Sequence, residues 1–217
     1  MSYKSNTKNN CFVIVITILL ISLIINIYQA VVNNEYNKEL RLQNYNRIEE
    51  IRYRNESILA TLESCISSNT INNEELLTLY KNYSELAEVE VELWESYLDN
   101  LQNKIVKHNN KTVNIPGKNK NEIYWEIEEL VYSYLKNDMK ENTFAMELNG
   151  KVLTDFQILR DMALDINNYF INFYSEKCTH LSDEKKKEKM IKENYWVDIL
   201  EGIQEVTNEY IDYAFIY

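Results

Sequence analysis

The two histidines of the sequence, His108 and His180, are the side chains best suited by type to acid and base chemistry. A serine or cysteine nucleophile usually needs such a base, and His180 lies two residues after Cys178. This pair does not have the spacing of a metal-binding motif or of a thiol with its base. His108 lies in a stretch rich in lysine and asparagine. We therefore expect both histidines to be structural or solvated, and we predict no catalytic residue.

Glutamates at helical spacing are the second candidate for chemistry, because carboxylates on adjoining turns of helices can bind metal ions. They recur in two groups: Glu88, Glu92 and Glu95, and then Glu122, Glu126 and Glu129. Helical di-iron sites add nitrogen ligands from Glu-x-x-His motifs, and neither histidine has a glutamate three residues before it. We interpret the glutamates as solvated acidic helix faces and predict no metal and no cofactor. With only 3 glycines, the sequence also lacks glycine-rich phosphate loops.

One dense basic group, here called the lysine cluster, consists of Lys185, Lys186, Lys187, Lys189 and Lys192. It falls in the first turns of a predicted helix, where positive charge opposes the helix dipole. The functional interpretation is that the cluster contacts anionic lipid headgroups or an acidic partner. The favoured interpretation is a solvated helix start, in which Asp183, Glu184 and Glu188 balance the lysines.

The bulk composition limits the class of protein. A net charge of −11 disfavours a nucleic-acid partner, since affinity for phosphate backbones comes from lysine and arginine. The chain is 45% hydrophobic and 12% aromatic, which is too high for a disordered protein. Only 3 glycines and 1 proline are present, so tight turns are few and long helices are expected. The abundance of Asn, Lys, Ile and Tyr is typical of an AT-rich bacterial genome.

Residues 11–32 form the long apolar segment of the sequence and contain no charged side chain. At about 1.5 Å per residue, a helix of this length spans roughly 33 Å, enough to cross a hydrocarbon core of about 30 Å. A cleaved signal peptide is the alternative, but cleavage after Ala30 would place Tyr28 where a small residue is required. We predict a short polar N-tail at 1–10, a transmembrane anchor in the lipid bilayer at 11–32 and a soluble domain at 33–217.

The charges that flank this segment bear on the side of the membrane that the domain occupies. Two lysines precede the segment, whereas Lys38, Arg41, Arg47 and Arg52 follow it, and the positive-inside rule then favours a cytoplasmic domain. A short basic tail before an apolar run has instead the shape of a bacterial signal anchor, and large domains translocate largely regardless of charge. We expect a single-pass protein of the cell membrane with an extracytoplasmic domain.

The soluble part is predicted to be all-α, an antiparallel bundle of about five helices. The first helix covers about 35–67 and is expected to continue the membrane span, since no glycine or proline interrupts the junction. The others cover about 72–105, 122–148, 154–177 and 182–210. The stretch 108–121, which contains the only proline, is the predicted loop.

Short polar motifs predict where these helices begin and end. Asn72 with Glu75 three residues later predicts a capping box, and Ser182 predicts an N-cap. The Asn149-Gly150 pair predicts the C-cap of the third helix. Cys65 and Cys178 are predicted to be free thiols, because an up-and-down helix order holds them at opposite poles.

The first soluble helix carries a seam at heptad spacing: Ile48, Ile51, Asn55, Ile58 and Leu62. Such a seam is typical of a coiled coil, so a homo-oligomer is one interpretation, with Asn55 fixing the register. Packing of the seam inside its own bundle is the alternative.

Aromatic residues at helical spacing are expected to pack in the core, although a ligand groove is the alternative: Trp94, Tyr97, Trp125, Tyr132, Tyr195 and Trp196. The apolar C-terminus at 213–217 either docks on the bundle or binds a partner.

These observations predict a membrane-anchored, non-catalytic helical binding or assembly module of the bacterial cell envelope, with another protein as its partner. The first alternative is a single-pass sensor or inhibitor with a small-molecule or protein ligand. The second is a membrane-attached enzyme with no recognisable motif.

Overall fold

A computed structural model describes residues 4–107, 123–141, 144–213 and 215 of the chain. Within them it contains six helices, α1 (Lys4–Ser68), α2 (Asn73–Lys107), α3 (Ile123–Glu141), α4 (Gly150–Lys177), α5 (Asp183–Lys192) and α6 (Trp196–Asn208). Two short strands, β1 (Thr70–Asn72) and β2 (Ala145–Glu147), pair antiparallel. The protein is predominantly helical, as predicted. The predicted loop at 108–121 lies outside the described residues.

The chain divides into two compact units, residues 1–43 and 44–217. The first contains the N-terminal part of α1, where the large apolar side chains from Phe12 to Val32 are 40% to 69% exposed. The hydroxyl of Thr17 donates to the Val13 carbonyl at 2.9 Å, so this polar group is satisfied within the helix. By length and composition, α1 could cross a membrane.

The second unit has its own hydrophobic core, and one face of α1 belongs to it. Ile48, Ile58 and Leu62 are 0% exposed and Ile51 is 1% exposed. Asn55 is buried beside them, and its Nδ2 donates to the Ala163 carbonyl of α4 at 2.8 Å. The seam therefore packs within its own unit, so contact with a second copy through it would require the core to open.

Polar contacts align α1 with its neighbours. Arg47 Nε lies 2.7 Å from Glu92 of α2, and Arg54 Nη2 lies 3.3 Å from Glu85 of the same helix. Because the contacts on α2 move toward lower numbers as those on α1 rise, the two helices run in opposite directions. The Tyr174 hydroxyl of α4 donates to Glu49 of α1 at 2.6 Å. Together with the bond between Asn55 and Ala163, this contact sets α4 opposite to α1 in direction as well.

The predicted capping box at the start of α2 is confirmed. The Glu75 N–H donates to Asn72 Oδ1, and the Asn72 N–H donates to Glu75 Oε2, both at 2.9 Å. These two bonds satisfy backbone donors that the first turn of a helix leaves without partners. Asn72 also ends β1, whose Ile71 is 0% exposed and faces the core.

The prediction for the third helix was too long, and the all-α fold class needs a small correction. α3 ends at Glu141, and Ala145–Glu147 forms β2 instead of a further helical turn. Asn149 is the N-cap of α4 and not a C-cap, and Gly150, with φ of 50°, is the first residue of α4. A strand of three residues is too short for its alternation to be read from sequence, and it forms because β1 supplies its hydrogen-bond partners.

The predicted last helix is broken into two. Ser182 occupies the N-cap position of α5, as predicted, although its side chain makes no capping hydrogen bond; α5 ends at Lys192 and α6 begins at Trp196. Asn194 lies between them with φ of 58°, a left-handed conformation that asparagine tolerates better than most residues. This single residue redirects the chain where sequence periodicity predicts a continuous helix.

Cys65 and Cys178 are buried free thiols, as predicted. Burial and the neighbouring Glu75 carboxylate raise the pKa of the Cys65 thiol to about 12. The thiol therefore stays protonated and unreactive near neutral pH.

Gly202 of α6 is required by a close contact with α4. A Cβ at this position would overlap the ring of Tyr169, whose hydroxyl donates to the Asp198 carbonyl at 2.9 Å. We predict that Gly202→Ala lowers the free energy of unfolding by about 1–3 kcal/mol, although alanine favours a helix more than glycine does. In a Tyr169→Ala background the same change should cost almost nothing. Urea unfolding of the parent, both single variants and the double variant measures this; simple additivity of the two effects would contradict the contact.

Candidate functional site

A buried carboxylate at the start of α4 organises one end of the second unit. Asp155 is 0% exposed, and it accepts hydrogen bonds from the hydroxyls of Tyr134 in α3 and Tyr213 near the C-terminus. The ammonium of Lys151, one turn earlier in α4, lies 2.9 Å from both carboxylate oxygens. Asp155 therefore joins α3, α4 and the C-terminal segment in one network, which we call the Asp155 network.

The electrostatics of this network keep its tyrosines in the donor form. Burial, followed by the hydrogen bond to Asp155, raises the pKa of Tyr213 to about 12. The same two causes, in the same order, raise the pKa of Tyr134 still further. Both hydroxyls stay protonated near neutral pH and can donate to the carboxylate. The carboxylate is fully buried, and both of its oxygens accept hydrogen bonds from these residues. Its role is therefore to hold the surrounding elements together.

The Asp155 network also holds the described part of the apolar C-terminus against the unit. Phe215 is 7% exposed, and its ring centroid lies 5.0 Å from that of Tyr213. Lys151 Nζ lies 5.8 Å from the centre of the Tyr213 ring. The C-terminus was expected either to dock on the bundle or to bind a partner. Tyr213 and Phe215 dock on the second unit.

A cavity of about 450 Å³ lies beside the Asp155 network. Its walls come from α3, β2 and the first turn of α4: Tyr134, Asn137, Asp138, Ala145, Met146, Glu147, Asn149 and Val152. Tyr134 belongs to both features, since its hydroxyl faces Asp155 and its side chain lines the cavity. Since β2 pairs with the strand that follows α1, the cavity lies at the end of the unit where α1 finishes.

The lining of the cavity is acidic and amide-rich. Asp138 is a buried carboxylate, 5% exposed, whereas Glu147 and the amides Asn137 and Asn149 are exposed at the rim. Among the described residues that line this wall, there is no lysine or arginine. Carboxylates and amide oxygens accept hydrogen bonds, so the cavity is suited chemically to an ammonium or guanidinium group.

Large apolar side chains are exposed close to this cavity in the sequence. Met139 is 66% exposed and Phe144 is 87% exposed, each next to a cavity-lining residue. Trp125 and Tyr132 lie at seven-residue intervals before Met139 on α3 and are 49% and 44% exposed. The expectation that these two aromatic residues pack in the core is wrong, whereas it is confirmed for Trp94, Tyr97 and Trp196. Exposed aromatic side chains are frequent at protein interfaces.

The lysine cluster lies at the other end of the unit, where the chain enters it. Lys186 Nζ is 3.5 Å from the centre of the Tyr174 ring, and Lys187 Nζ is 5.6 Å from that of Tyr45 in α1. Lys189 donates to the backbone carbonyl of Lys177. The structure therefore packs part of the cluster against aromatic rings and does not bring it near the cavity.

The remaining candidates for chemistry are not gathered into a site by the described residues. His180 is exposed with φ of 61°, whereas Cys178 is buried. Glu88, Glu95, Glu126 and Glu129 are exposed, as expected for acidic helix faces. Among the described residues, no group of three or more His, Cys, Asp and Glu side chains is placed to hold a metal ion. His108 and Glu122 lie outside the described residues.

Sequence reasoning missed Asp155, Tyr134 and Asp138. Lys151 and Asp155 are one helical turn apart, which predicts an ion pair but not its burial. Tyr134 and Tyr213 are distant in sequence, and only the tertiary fold brings their hydroxyls to one carboxylate. Asp138 lies near the end of α3 and belongs to no sequence motif, so its burial could not be predicted.

Comparisons with known protein families, with curated proteins and with solved structures find no match. The functional argument therefore depends on the geometry and chemistry of the chain itself.

We predict that Asp155→Ala lowers the free energy of unfolding by about 1–3 kcal/mol, because it leaves the partly buried hydroxyls of Tyr134 and Tyr213 without their acceptor. The matched control is Asp161→Ala, whose side chain is half exposed and pairs with the adjacent Arg160. Removal of this surface pair should cost less than about 1 kcal/mol. Urea unfolding of the full chain in detergent measures both. Equal losses in the two variants would show that the Asp155 network does not hold the fold together.

Proposed function

We propose that the protein is a single-pass, membrane-anchored binding module without catalytic activity, placed in the bacterial cell envelope. Residues 11–32 of α1 would form its anchor, and the remaining helices an antiparallel bundle that displays the cavity. Its partner would be another protein, which inserts a basic side chain into the cavity.

The observation that carries this proposal is the exposure of the apolar part of α1. Every large apolar side chain from Phe12 to Val32 is at least 40% exposed, all around the helix. In water such a surface is far larger than the apolar patches that monomeric proteins tolerate. A lipid bilayer would cover it on all sides, and the length of the segment fits the hydrocarbon core.

The extracytoplasmic side remains our choice for the second unit. The short basic N-tail before an apolar run supports it, since that is the arrangement of a signal anchor, whereas the lysine and arginine count after the segment supports the cytoplasm. Because both cysteines of the unit are buried, thiol labelling from outside the cell would need a cysteine introduced at an exposed position such as Tyr53.

The cavity supports a partner with a cationic side chain. Glu147 provides an exposed negative charge at the rim, and the exposed Phe144 and Met139 provide apolar area next to it. Interfaces commonly combine an apolar anchor with a charge-paired pocket. The same lining would accept a small amine, and this observation favours the sensor or inhibitor as the second candidate function.

The proposal is tested on membranes from cells that produce the full chain with a photoreactive phenylalanine at position 144. We expect the chain to stay in the pellet after carbonate extraction, because an integral anchor resists alkali. After irradiation we expect a discrete adduct with one protein. Glu147→Lys should reduce that adduct at least tenfold by reversing the charge at the rim.

Two matched variants serve as controls. The photoreactive residue at Tyr53, exposed on α1, should give no such adduct, and Glu74→Lys, at an exposed position on α2, should leave the adduct from position 144 unchanged. Release of the chain by carbonate would contradict the anchor. Equal adducts from positions 53 and 144, or no response to Glu147→Lys, would contradict binding at the cavity.

A further inference from the structure

The acidic residues around the lysine cluster offset much of its charge without pairing directly with it. α5 begins with Asp183 and Glu184, and the chain as a whole has a net charge of −11. Even so, within the described residues none of the five lysines forms an ion pair. The acidic residues that were expected to balance the cluster therefore make no direct pair with it, and its remaining charge is left for another contact.

The fold holds the cluster in place instead of leaving it on a mobile segment. The side chain of Met190 is 1% exposed and packs α5 against the core. The ammonium of Lys186 rests on the Tyr174 ring, and that of Lys189 is bound to a backbone carbonyl. Lys185, Lys187 and Lys192 remain exposed. The exposed side chain of Leu181 precedes the cluster, so apolar and basic groups adjoin here.

The contact between Lys187 and Tyr45 places the lysine cluster near the point where the chain enters the second unit. Tyr45 is the second residue of the second unit and follows Val32, the end of the apolar segment, by thirteen residues. Even a fully extended chain of this length covers at most about 45 Å, which limits how far Tyr45 can be from the end of the proposed anchor. Tethering at such short range gives a high effective concentration of the membrane surface.

We propose that the lysine cluster binds anionic lipid headgroups and so fixes the second unit against the membrane surface. The proposal rests on the membrane anchor of the proposed function. Phosphate groups accept hydrogen bonds from several ammonium groups at once, and exposed lysines on one short helix provide them. An acidic protein partner is the competing occupant, but none is tethered to the chain, whereas the proposed anchor would keep a bilayer within reach of the cluster.

The test uses the full chain in lipid nanodiscs, either neutral phosphatidylcholine or phosphatidylcholine with phosphatidylglycerol. Co-elution of the chain with neutral discs reports the anchor alone. The rate at which each lysine is acylated, measured by mass spectrometry, then reports whether the lysine cluster is covered. We expect Lys185, Lys187 and Lys192 to react at least threefold more slowly in anionic discs, with the difference lost in high salt. Lys81 and Lys136, exposed on α2 and α3, should react equally in both discs.

Charge-reversal variants decide whether the cluster causes the effect. Lys185→Glu, Lys187→Glu and Lys192→Glu together should abolish the slower amide hydrogen exchange of α5 that anionic discs induce in the parent chain. Lys81→Glu, Lys136→Glu and Lys140→Glu change the net charge equally and should leave it intact. Equal acylation in both discs, or equal loss in both triple variants, would overturn the lipid contact, whereas failure to enter neutral discs would instead overturn the anchor.

Discussion

The buried face of α1, formed by Ile48, Ile51, Asn55, Ile58 and Leu62, is the contact on which the rest of the second unit depends. These side chains are 0% to 3% exposed, so the helix contributes to the core along its whole length inside the unit. The aliphatic residues supply apolar burial, which is not directional. Asn55 adds the directional part, because its bond to the Ala163 carbonyl specifies how α4 lies on α1.

The same helix carries two different patterns of apolar residues. From Phe12 to Val32 its apolar residues surround the helix, whereas from Ile48 to Leu62 they recur on one face only. A helix that is apolar all round needs an apolar medium, while a single apolar stripe needs only neighbouring helices. The change of pattern within one helix would be the physical basis for joining the proposed membrane anchor to the second unit.

Polar chemistry within the second unit is divided between its two ends. The lysine cluster lies where the chain enters at Tyr45, and the acidic cavity lies where α1 finishes and β1 pairs with β2. The Asp155 network supports the wall of the cavity, because Tyr134 both lines it and donates to the carboxylate. The second unit therefore carries its basic cluster and its acidic cavity at opposite ends.

Much of the fold was predictable, and the errors have physical causes. Local signals were sufficient for the capping box at Asn72 and Glu75 and for the N-cap at Ser182. They failed at β2, which exists only because β1 pairs with it, and at Asn194, where one left-handed residue breaks a periodic helix. The lysine cluster was visible in sequence, but the Asp155 network and the cavity depend on residues that only tertiary packing brings together.

Hydrogen exchange along α1 tests the two-environment account most directly. The full chain in nanodiscs should show slow exchange at 12–32 and 48–62 and faster exchange at 33–43, where exposed residues lie in neither lipid nor core. Removal of residues 1–32 should leave the protection of 48–62 unchanged, because the core of the second unit supplies it. Fast exchange at 12–32 in nanodiscs, or loss of protection at 48–62 after that removal, would contradict the account.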